Sequence, residues 1–64
     1  MKRREFLRHL EAGGCHCARD KGPHSIWRNP ATGEIQAVPR HVEIDYFLAK
    51  KICLRLSIAP PPSR

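Results

Sequence analysis

Apolar residues near the start of the chain recur at helical spacing. Arg3, Phe6, Leu7 and Leu10 fall on one face of a helix from about Lys2 to Ala12, with Arg4, Arg8 and Glu11 on the other. Gly13-Gly14 stops it, because glycine takes the left-handed cap conformation without a Cβ penalty. The period then shortens. "CHCAR" reads as a strand with Cys15 and Cys17 on one face and His16 on the other. "DKGP" is turn chemistry, "HSIWR" a second strand, "NPATGE" a hairpin-type loop and "EIQAV" a third strand closed by Pro39. A second helix is predicted from about Asp45 to Ser57, with Asp45 as N-cap. Ile44, Leu48, Ile52 and Leu56 form its stripe. Phe47, Cys53 and Leu54 lie partly off it, which is more apolar surface than one buried face needs.

The order is helix, three-strand meander, helix. It predicts an α+β domain over residues 1–58, with both helices on one face of a three-stranded antiparallel sheet and the other face open. "APPPSR", residues 59–64, cannot continue a helix and reads as a flexible tail. At 64 residues the chain holds one domain with a thin core.

Charge narrows the partners. Twelve Lys and Arg against 6 Asp and Glu give a net +6, which favours a polyanion: nucleic acid or an acidic protein. No apolar run is long enough to span a membrane, and charges interrupt the N-terminus throughout, so neither membrane nor export signal is expected and a cytoplasmic location is. Three cysteines without an export signal argue for reduced thiols.

Several groups are candidates for chemistry. Cys15, Cys17 and a histidine offer zinc ligands, but structural zinc sites pair ligands through a tight turn, and one intervening residue in a strand does not wrap a metal. Both thiols packed inward is the favoured reading, and no metal site is expected. Cys53 carries no mark of an activated nucleophile. His24 starts the second strand, and an imidazole titrates near neutrality, at about 6.5. It suits a base for a ribose 2′-hydroxyl, with Lys21, Arg28, Arg40 or Lys51 stabilising charge on the phosphate. It equally suits an exposed strand-end histidine without a role. His41 is a proton donor, an RNA contact or a residue leading into the second helix. By strand parity Trp27 faces the core when His24 faces out. Ile26 is then exposed, unless a bulge after Pro23 breaks the parity or a partner covers it.

Three stretches in order, "MKRREFLRHLEAGG", "KGPHSIWRNPATGE" and "AVPRHVEIDYFLAKKICLRLSI", resemble the HicA toxins (the YcfA-like family) along nearly the whole chain. The resemblance implies a double-stranded-RNA-binding-domain-like fold of order α-β-β-β-α. It implies a toxin that blocks translation by cleaving mRNA, with no cofactor. His24 falls on the family's essential histidine, and Lys21, Arg28, Arg40 and His41 are the expected RNA contacts. The implied partner is a HicB-type antitoxin, an acidic protein that covers that histidine. The chain departs from the family with Pro23 where serine is common, "CHCA" where the first strand is usually aliphatic, and Ser57 where a glycine cap is favoured. The alternative is a non-catalytic RNA-binding module, or a degenerate toxin that only binds its antitoxin.

Overall fold

A computed structural model describes residues 1–62. The elements are α1 (Arg3–Ala12), β1 (His16–Lys21), β2 (His24–Arg28), β3 (Ile35–Pro39) and α2 (Tyr46–Arg55). The strands form one antiparallel sheet in the order β1-β2-β3. This is the expected α-β-β-β-α architecture.

One layer of core lies between sheet and helices. Phe6 and Leu10 of α1, Trp27 and Val38 of the sheet, and Ala49, Ile52 and Cys53 of α2 are buried together with Cys15, Ile44 and Leu56. Strand β2 alternates as its sequence predicts. Ser25 and Trp27 are buried, His24 is exposed, and Ile26 and Arg28 are half-buried on the open face. No bulge follows Pro23: Gly22-Pro23 is a two-residue turn with Gly22 at φ 73°, and His24 pairs directly with Lys21 and Pro39. A positive φ followed by proline's fixed negative one is the type II′ pattern, which suits the twist of a hairpin.

The face that α2 buries differs from the predicted stripe. Leu48 is 39% exposed, while Ala49 and Cys53 are fully buried. Small side chains let the helix approach the sheet, and bulk alone mispredicts that face. Asp45 is the N-cap as expected, its carboxylate accepting the Leu48 N–H at 3.2 Å.

The two helices end alike. After α1 the N–H groups of Gly14 and Cys15 return to the carbonyls of Glu11 and Leu10. After α2 those of Ser57 and Ile58 return to Leu54 and Cys53 in the same doubly bonded cap. Gly14 holds the left-handed position at φ 94°; Ser57 holds it at φ 59°, so the serine takes the cap geometry that glycine adopts more easily. Its hydroxyl donates to Glu34 at 2.6 Å, and that bond, with one from Thr32, holds the Glu34 carboxyl below its usual range. Beneath this corner the buried Asn29 donates to the Leu56 carbonyl at 2.7 Å and joins the β2–β3 loop to the end of α2.

Of the predicted tail, residues 59–61 lie against the helices. His9 bonds the Ala59 carbonyl at 2.8 Å, the Tyr46 hydroxyl donates to Pro61 at 3.2 Å, and Pro61 is buried. Ser63 and Arg64 lie outside the described residues.

Candidate active site

Strand β1 adds its part of the open face through an irregularity that alternation does not foretell. Its register against β2 shifts between Cys17 and Arg19, which leaves Ala18 as the extra residue of a bulge. Below the bulge His16 pairs with Arg28; above it Arg19 pairs with Ile26 and Lys21 with His24. Directly paired residues share a face, so the bulge brings Arg19 and Lys21 onto the side that carries His24. Plain alternation from His16 would have sent both to the other side.

The exposure of β1 corrects the cysteine reading. Cys15, ahead of the strand, is buried, and its thiol is pushed up by burial. Cys17 is exposed, because every residue of β1 is exposed and no helix covers this edge strand. The two thiols do not pack inward together.

Three of the predicted residues gather at one end of the sheet. His24 stands exposed between Lys21 on β1 and Pro39 on β3. Arg40 follows Pro39 and reaches back across this end: its Nε donates to the Gly22 carbonyl at 2.9 Å, and its Nη2 pairs with the Asp20 carboxylate. An exposed ion pair of this kind contributes at most about 1 kcal/mol. Its consequence here is geometric, because it holds a guanidinium beside the turn that leads into His24. Arg28 shares the face but stands at the far end of β2, opposite His16 and Ile35. His41 is exposed in the link after β3, and the cap of α2 is Asp45, so it does not lead into that helix. Lys51 lies on α2, in the layer behind the sheet, and takes no part in this cluster.

The strand positions of the open face are His16, Arg19, Lys21, His24, Ile26 and Arg28, with Ile35, Ala37 and Pro39 from β3. Three cations and two histidines face solvent with no carboxylate among them. Asp20 belongs to the other side and is engaged by Arg40.

The sequence reading missed the support behind His24. Arg3 of α1 passes beneath the sheet. Its Nε donates to the Pro39 carbonyl at 2.9 Å and its Nη2 to Ser25 Oγ at 3.1 Å. The buried Trp27 donates from its indole nitrogen to the same oxygen at 3.2 Å. The two residues flanking His24 in space, Ser25 and Pro39, are thus tied to one helix. The only sequence signal was Arg3 itself, a charge on the predicted buried face of α1.

The family model of the HicA toxins of bacterial toxin–antitoxin matches residues 3–58, nearly the whole described domain. The chain belongs to the HicA toxin family. No curated protein and no solved structure matches the chain. Membership places it among the toxins of toxin–antitoxin pairs and implies a cognate antitoxin. Among the described residues no helix is long and apolar enough to cross a membrane, and no group of three or more His, Cys, Asp or Glu converges to hold a metal.

Proposed function

We propose that this HicA toxin is a cytoplasmic endoribonuclease that cleaves mRNA at the open sheet face, needs no metal, and uses His24 as its proton-transferring group. The observation that carries this reading is an exposed imidazole beside Lys21 on a sheet face without a carboxylate, with Arg40, itself paired with Asp20, tethered to the turn before His24. His24 takes the proton of a ribose 2′-hydroxyl. That oxygen bonds to the adjacent phosphorus, the bond to the 5′-oxygen breaks, and the leaving oxygen acquires a proton. The products are a 2′,3′-cyclic phosphate and a 5′-hydroxyl end. Lys21 and Arg40 stabilise the charge that develops on the phosphoryl oxygens, and Arg28 and His41 contact the strand to either side. The antitoxin is an acidic, HicB-type protein that covers His24. Its acidity complements the +6 chain, and Ile26 and Ile35 on the same face give it apolar contact.

Wild type and His24→Ala are incubated with a long single-stranded RNA in EDTA, after circular dichroism shows both folded. Cleavage by wild type and its loss in the variant are expected, a drop of about 100-fold or more for a general base. Intact RNA with a folded, RNA-binding wild type would leave a binding module or a decayed toxin.

A further inference from the structure

A second cationic feature lies outside the His24 face. An open groove of about 710 Å³ runs between α1 and the link that follows β3. Lys2, Arg3, Arg4, Arg8 and Arg40 bring five positive residues to it, against one carboxylate, Glu11, and Arg3 is engaged by Pro39 and Ser25. Arg40 is held by Asp20, and Lys2 stands 4.0 Å from Glu43. Among the described residues Arg4 and Arg8 make no ion pair.

That placement is unfavourable for the isolated domain. Arg4 and Arg8 are a like-charged pair one helical turn apart, which weakens a helix. Arg4 also lies in the first turn of α1, where the helix dipole favours negative charge. Glu5 in the same first turn and Glu11, each three residues from Arg8, offset part of these costs, and a bound polyanion offsets more.

We infer that this groove carries the RNA strand away from the cleavage point, with Arg4 and Arg8 holding phosphates of nucleotides beyond the one at His24. The inference rests on the proposed nuclease reading. Arg40 favours RNA over an acidic protein, because its guanidinium lines the groove and also bonds Gly22 in the turn before His24. One continuous chain of regularly spaced phosphates, lying on the His24 face, passes Arg40 into the groove. Leu7 and the exposed Val42 lie beside that path and offer apolar contact to ribose and base.

The test uses a fluorescent single-stranded RNA methylated at every 2′-oxygen, which cannot be cleaved, and measures its affinity over a salt titration. Arg4→Gln/Arg8→Gln is compared with Lys50→Gln/Arg55→Gln, which removes the same charge from exposed positions on α2. We expect the groove variant to bind about tenfold more weakly and its log–log salt slope to fall by roughly 1.4, at about 0.7 per phosphate contact on a single strand. The α2 variant should change far less. Equal effects from the two variants would overturn the groove, and cleavage of unmodified RNA by wild type but not by His24→Ala would still leave the nuclease reading standing. Unchanged RNA affinity with weakened binding of poly-glutamate would overturn it in favour of an acidic protein partner. Absence of RNA binding by wild type would overturn both readings.

Discussion

Strand β2 presents two faces that obey different rules. Inward, Trp27 is 4% exposed and Ser25 is 1% exposed, and every polar atom there has a partner. Outward, His24 is exposed and Ile26 and Arg28 are half-covered. Five residues therefore divide into a face that holds the fold and an open face, the one proposed to meet the RNA. Substitutions on the first act through stability, and those on the second through activity. This separation lets a domain with a one-layer core carry an exposed histidine at little cost, because His24 contributes nothing to the core.

Trp27→Ala tests the division hardest. Removing a buried indole costs about 3–5 kcal/mol. A domain of this length has a total stability of roughly 3–10 kcal/mol, at about 0.05–0.15 kcal/mol per residue. The variant should be largely unfolded at ambient temperature by circular dichroism and urea titration. His24→Ala, one face away, should stay within about 0.5 kcal/mol of wild type. Comparable losses from both would mean that the open face is structural.

The thiols sharpen the same contrast with pH. Burial, and then the neighbouring Cys15, push the Cys53 thiol up from 9.0 to about 11. A group whose folded pKa is raised favours the fold fully below its unfolded value, and that contribution disappears as pH rises through the folded one. Stability should therefore fall between about pH 9 and pH 11, by about 2–3 kcal/mol at 1.36 kcal/mol per unit. Urea midpoints over that range check it, and in Cys53→Ala, which begins less stable, the fall should be shallower. At neutral pH a thiol reagent should modify Cys17 quickly, and Cys15 and Cys53 only as the protein unfolds.

What could be read in advance followed local rules. The N-cap at Asp45, the stop at Gly13-Gly14 and the alternation of β2 need only a few adjacent residues and a meander. What could not be read depended on residues far apart or on a break in period. The bulge at Ala18 has no sequence mark, since alanine fits either register, and it alone decides which way Arg19 and Lys21 face. The buried face of α2 was assigned by size, so Leu48 displaced Ala49. Ser57 could take its left-handed cap because the preceding turn and Glu34 hold it there, and Glu34 is 23 residues away. The Arg3–Ser25 bond spans 22 residues and joins a helix to a strand, a contact that no pattern along either element reveals.

That bond gives the finest test of whether the two faces of β2 are independent. Ser25→Ala removes one oxygen that accepts from both Arg3 and Trp27. Arg3 keeps its bond to Pro39 and is half-buried, so its freed nitrogen can turn toward water. The indole N–H is enclosed and cannot. Leaving one such donor unpaired costs about 1–2 kcal/mol, visible as a lower urea midpoint with an unchanged slope. With strict independence, RNA cleavage per folded molecule stays at the wild-type rate. We expect it to fall instead, because Ser25 and Pro39, the two anchors of Arg3, are respectively the chain neighbour and the cross-strand partner of His24. The fall should appear in kcat, with KM nearly constant, since the cations proposed to bind the strand lie on other tethers. Equal activity in the folded fraction would show that the inner face only supports the fold.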